Sequence, residues 1–133
     1  MNEILNIELA MQEIERWLDY KKVSPRKREA NKDSIDILAD AVSTGNLVLK
    51  EDCTLVQTLN FPISSEKKTE VLEFKPRLQM KSVYQHLQGV KPSDIDARLY
   101  AYAAALTGNP KELIKNLETS DYEVVSAIVV FFI

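Results

Sequence analysis

Residue types that could do chemistry are sparse and scattered in this sequence. The single histidine, His86, stands in Tyr84-Gln85-His86-Leu87 with no serine or cysteine nucleophile arrangement beside it. An imidazole works as a general base only with such a group in hydrogen-bond reach. Cys53 is the single cysteine; it can form no internal disulfide, suits a reducing compartment, and reads as a small half-buried apolar residue. One histidine and one cysteine leave only carboxylates to complete a metal shell. The acidic pairs Asp33/Asp36 and Asp94/Asp96 read instead as helix-surface charges that complement the positive N-terminal end of a helix. No glycine-rich phosphate loop is present, because Leu106-Thr107-Gly108-Asn109-Pro110 has the form of a helix stop. The sequence therefore predicts a protein that is not an enzyme, with no catalytic residues, no cofactor and no metal.

Binding chemistry is better represented. Lys21-Lys22-Val23-Ser24-Pro25-Arg26-Lys27-Arg28 is a dense cluster of like charge, and from Lys21 to Lys32 six cations stand against Glu29, a local net charge of +5 in a chain of −3. Cations in the first turn of a helix oppose its dipole, at a cost of roughly some tenths of a kcal/mol each. Lys21, Lys22, Arg26, Lys27 and Arg28 are thus a candidate anion-binding set, set against the plainer reading of a solvated loop and helix start. Only Tyr20 accompanies them, which argues against nucleic acid held by base stacking. The second feature is Val124-Val125-Ser126-Ala127-Ile128-Val129-Val130-Phe131-Phe132-Ile133. On a helix these large apolar side chains spread over about 200°, twice the ~100° stripe that one neighbour covers. Each of them left in water forgoes about 1.5 to 3 kcal/mol. Two readings stay open: a central helix or buried strand covered within the monomer, or a self-association or client-binding surface formed by Val124, Val125, Ile128, Val129, Phe131 and Phe132.

The elements that must position these residues follow from periodicity. The 133 residues are 45% hydrophobic and 28% charged, the balance of a single globular domain able to bury a core. From Ile4, the residues Ile7, Met11, Ile14, Trp17 and Leu18 recur at helical spacing. Ser24-Pro25 caps a second helix over about Pro25 to Ser43, and Gly45 stops it. Its apolar residues Ala30, Ile37, Leu38, Ala41 and Val42 crowd the second half, so its first turns are weakly held. Leu47–Leu49, Thr54–Leu59 and Thr69–Phe74 are β-branched runs joined by Glu51-Asp52 and by Ser64 to Lys68, an antiparallel meander bounded by Pro62 and Pro76. Met80, Val83, Tyr84 and Leu87 form one helical face; Ile95, Leu99, Tyr102, Ala103 and Leu106 form the next, ended by Gly108. Asn109-Pro110-Lys111-Glu112 opens a short helix through Leu117, and Ser120-Asp121-Tyr122-Glu123 repeats that capping pattern for the last. The predicted fold is α+β and mostly α: an N-terminal helical hairpin (1–45), a small β-meander (46–76) and a C-terminal cluster of three to four helices (77–133). The acid-rich start lacks the form of a signal peptide. The apolar run from Ala127 to Ile133 is far shorter than the ~20 residues of a membrane span, so a cytoplasmic protein without membrane contact is expected.

Tyr100-Ala101-Tyr102-Ala103-Ala104-Ala105-Leu106-Thr107-Gly108-Asn109-Pro110, then Ile114-Lys115-Asn116-Leu117-Glu118-Thr119-Ser120-Asp121-Tyr122 and the closing Phe131-Phe132, together resemble the tail assembly chaperones of long-tailed bacteriophages, the tail protein E-like family. Thr58-Leu59-Asn60-Phe61-Pro62-Ile63 and Val71-Leu72-Glu73-Phe74-Lys75-Pro76 look like that family's hairpin, and the likeness covers about Leu55 to Ile133. The resemblance implies binding of the long, apolar tape-measure protein, keeping it soluble in the bacterial host cytoplasm, and assembly into homo-oligomers. It also implies a second, frameshifted longer form. The alternative from the residues alone is a small nucleic-acid-associated adaptor that uses the basic segment 21–28 on phosphates and dimerises through the C-terminal helix.

Overall fold

The computed structural model describes residues 5–64 and 68–133; Ile4 and the middle of the expected Ser64 to Lys68 turn lie outside them. Helix α1 (Ile7–Tyr20) is capped by Asn6, whose side chain accepts from the Leu9 nitrogen at 2.9 Å. Ala10, Ile14, Trp17 and Leu18, spaced three or four apart, form its buried stripe.

The long second helix expected from the sequence is broken into α2 (Pro25–Ala30) and α3 (Lys32–Ser43). Ser24 caps α2 through a 3.2 Å bond from the Lys27 nitrogen, as expected, but Pro-Arg-Lys-Arg-Glu-Ala buries nothing. No packing holds that turn in line with the next, and Asn31 leaves helical geometry (φ −118°, ψ 31°) with its amide donating to the Lys27 carbonyl at 2.9 Å. Helix α3 buries Leu38, Ala39, Ala41 and Val42 and packs against α1. Gly45, at φ 82°, turns the chain out of it.

Strands β1 (Leu47–Leu49), β2 (Leu55–Ile63) and β3 (Thr69–Phe74) form an antiparallel sheet in that order, with Leu49 opposite Leu55 and Gln57 opposite Leu72. Leu47, Leu49, Leu55, Leu59, Leu72 and Phe74 point into the core. Pro62, expected to bound the meander, lies inside β2. It is tolerated because β1 reaches only to Gln57, and because the register with β3 is irregular between Thr58 and Ile63. A residue without an amide hydrogen is compatible with such a stretch.

The C-terminal cluster comprises α4 (Met80–Leu87), α5 (Ile95–Thr107), α6 (Lys111–Lys115) and α7 (Thr119–Val129). Asp94 caps α5 by accepting from Ala97 at 3.1 Å, and Gly108 ends it in the left-handed region at φ 69°. The expected apolar faces are only partly covered: Val83, Tyr102, Ala103 and Leu106 are buried, whereas Tyr84 and Ile95 are 63% and 67% exposed. Two caps differ from expectation. Asn109 donates to the Thr107 carbonyl and Pro110 takes the cap position of α6. Helix α7 is capped by Glu118 rather than Ser120, because Asp121 is drawn inward. Helix α7 also stops at Val129, and Val130 to Phe132 close a turn in which Phe131 donates to Ile128 and Phe132 to Val129. The helical arc computed for the last residues therefore applies only as far as Val129.

Buried residues of α1, α3, the sheet and α4 to α7 join in one hydrophobic cluster. At one end of it Trp17 meets the edge of the Phe131 ring at a centroid distance of 5.7 Å and the Phe132 ring at 6.1 Å. The fold is α+β and mostly helical.

Candidate functional site

The two features singled out by composition, the basic segment and the apolar C-terminal residues, meet in space. Helix α1 ends where Lys22 adopts φ 57°. The Val23 nitrogen then donates to Leu18 at 3.1 Å and the Lys22 nitrogen to Asp19 at 3.0 Å. This is the paired closure usually made around a glycine, with buried Leu18 and Val23 as its apolar contact. The reversal turns Lys21 back over the aromatic cluster: its Nζ lies 3.3 Å from the Phe132 ring centroid and 6.0 Å from that of Trp17. Burial, with Lys27 as a smaller cause, pushes the Lys21 ammonium down to about 8.

Beside this contact lies an open groove of about 750 Å³ lined by Asp19 to Lys22, Pro76 to Leu78, Phe131 and Phe132. A second, of about 490 Å³, is lined by Lys75, Arg77, Leu78, Gln79 and Ser82. Arg77 and Leu78 line both, so the two adjoin along the segment that links β3 to α4, and together they are called the trough. Its charged lining consists of Lys21, Lys22, Lys75 and Arg77 against Asp19 alone. Asp19 is already paired with Arg28 at 2.9 Å.

The candidate anion-binding set divides. Lys21 is engaged with Phe132, Lys27 donates to the main-chain oxygen of Ile133 at 3.0 Å, and Arg28 holds both Asp19 and the Val23 carbonyl. Lys22 and Arg26 are exposed, but only Lys21 and Lys22 of the five reach the trough. The candidate partner-binding set divides as well. Val125, Ile128 and Val129 are fully buried and Phe131 is 4% exposed. These four are monomer core, which corrects their reading as surface: α7 is covered by α3, α5 and β2 of the same chain. Val124 and Phe132 are half-buried, and of these Phe132 faces the trough. Tyr20, Lys75, Pro76, Arg77 and Leu78 were not anticipated. They carry no motif, and more than fifty residues separate Tyr20 from Pro76, so only tertiary packing brings them together.

Other chemistry is thin. His86 and Ser82, one turn apart on α4, line a cavity of about 360 Å³ together with Lys75 and residues of the α5–α6 turn. No hydrogen bond joins the two among those of the described residues, and no acid lines the cavity. Burial and then Lys111, whose Nζ donates to the His86 carbonyl at 2.8 Å, lower the imidazole's proton affinity. Cys53 is buried in the β1–β2 turn, 3.7 Å from an Arg16 nitrogen. Asp33, Asp94 and Asp96 lie at helix N-termini, and no group of three or more His, Cys, Asp or Glu among the described residues could hold a metal ion. No described helix is long and apolar enough to cross a membrane. No protein-family model, no curated protein and no solved structure matches this chain.

Proposed function

We propose that this protein is a non-enzymatic chaperone of phage tail assembly, which binds the apolar tape-measure protein in the host cytoplasm and keeps it soluble. The observation that carries the binding reading is the trough itself: half-buried Phe132, Leu78 and Pro76 line it beside four cations, with no paired acid and base among its lining residues. The client's identity rests on the resemblance of Leu55 to Ile133 to the tail assembly chaperones. A protein-binding role fits the trough better than the nucleic-acid alternative. Lys21 covers the face of Phe132 on which a base would stack, and Lys27 and Arg28 are committed within the chain.

Co-expression with the tape-measure chain tests the proposal. The client is expected in the soluble fraction when this protein is present and in the insoluble fraction when it is absent; unchanged solubility overturns the reading. Retention that falls steeply with salt on immobilised DNA would favour the adaptor instead, since phosphate contacts release counterions and apolar contacts do not.

A further inference from the structure

The trough has a charge character that the chaperone reading alone does not require. Four cations line it in a chain whose net charge is −3, and its single acid is neutralised by Arg28. Its apolar lining includes Leu78, Pro76 and Phe132. Lys21 is the most telling member: half-buried, it sits on an aromatic ring rather than beside a carboxylate. A desolvated cation with only a π-face for company gains more from an incoming anion than a hydrated one does.

We infer that the trough receives a protein segment in which carboxylates alternate with large apolar side chains, the carboxylates meeting Lys21, Lys22 and Arg77 and the apolar groups covering Phe132 and Leu78. This deepens the proposed function, on which it rests, by naming the chemistry of the client's binding segment. It also gives the mixed lining a use: attraction brings an acidic segment in, and apolar burial holds it. Lys75, whose Nζ donates to the Ala105 carbonyl at 3.4 Å, lines the end of the trough that holds Ser82, so a bound segment would run from the end of α1 toward Ser82.

The test uses the full chain and two synthetic peptides of one Leu/Phe-rich sequence, one with Asp and one with Asn at the intervening positions. Binding is read from the fluorescence of Trp17, the chain's only tryptophan, which touches Phe131 and Phe132. The Asp peptide is expected to bind about tenfold more tightly than the Asn peptide at low salt, with the preference shrinking as salt rises. Arg77→Met, at an exposed position, should reduce that preference without changing the melting temperature, and Lys21→Met should reduce it further. Equal affinity for the two peptides, no binding of either, or tighter binding of oligo(dT) than of the Asp peptide would each overturn the inference. Co-expression separates the two claims: a client kept soluble by a protein that does not distinguish the peptides leaves the chaperone reading standing and removes only the acidic one.

Discussion

The Asp121 carboxylate, in the first turn of α7, accepts a 2.8 Å hydrogen bond from the main-chain nitrogen of Asn60 on β2. Its other oxygen accepts from Phe61 at 3.0 Å, and the Gln57 amide donates to the Asp121 carbonyl at 3.0 Å. These bonds fall where the pairing of β2 with β3 is irregular and β1 has already ended. Main-chain donors without ladder partners are thus satisfied by a side chain 2% exposed. Asp121→Asn puts an amide donor against one of those N–H groups. We expect a loss of about 1.5 to 3 kcal/mol in urea unfolding, the range for a hydrogen bond to a charged group. A variant within about 0.5 kcal/mol of the parent, as at an ordinary surface position, would show that α7 is not tied to β2 in this way.

Asp121 also marks what the sequence could and could not disclose. Periodicity located α1 and the three strands because their buried apolar residues recur at helical or alternating spacing, and local capping chemistry placed Ser24 and Gly108. Asp121 reads from sequence as a helix-capping neighbour, and Ser120 as the cap. Nothing local reveals that β2 would need its carboxylate sixty residues away. The break at Asn31 was hidden for a related reason, since propensity alone runs the helix through and only the lack of buried contacts on α2 lets it stop. The trough was legible in half: Lys21, Lys22 and Phe132 stood out by composition, whereas Arg77 and Leu78 belong to it only through the packing of the β3–α4 link against the end of α1.

The two terminal phenylalanines should separate cleanly. Phe131 is core and packs edge-on against Trp17, so Phe131→Ser should cost about 3 kcal/mol or more, as for a buried aromatic cut to a small residue, and shift the tryptophan emission. Phe132 is half-buried and covered on one face by Lys21. Phe132→Ser should cost much less, about 1 kcal/mol, while lowering affinity for an apolar client. Chemical denaturation of the two variants decides; equal costs would contradict the division between core and trough.

Lys22 sits at φ 57° in the closure of α1, a conformation that costs a residue with a Cβ about 1 kcal/mol relative to glycine. Lys22→Gly should therefore raise stability by up to about 1 kcal/mol, less what glycine adds to the freedom of the unfolded chain. The same change removes a cation from the trough, so client affinity should fall as stability rises. Thermal melts and peptide titrations on one preparation check both. A destabilised variant would mean that the Lys22 side chain supports the fold by contacts outweighing its strain.

Stability should also carry the imprint of Lys21. Its folded-state value of about 8 lies below the ordinary 10.5, so between these pH values the unfolded chain holds a proton that the native protein has released. Stability then rises with pH through that window. Because Lys21 is only half-buried, solvent screening limits the gain to the order of 1 kcal/mol. Tyr122 acts in the opposite sense at higher pH. Burial first, then Tyr100 and Asp96, push its phenol up to about 12, so from about pH 10 the unfolded chain loses a proton that the native protein keeps, and stability falls. Urea midpoints should therefore climb from pH 8 toward 10 and drop beyond it. Lys21→Met removes the climb and leaves the drop, and it should be more stable than the parent at pH 7, where the parent carries a desolvated ammonium. If the parent's midpoints are flat or falling between pH 8 and 10, the ammonium is not desolvated and Lys21 does not rest on Phe132 in solution.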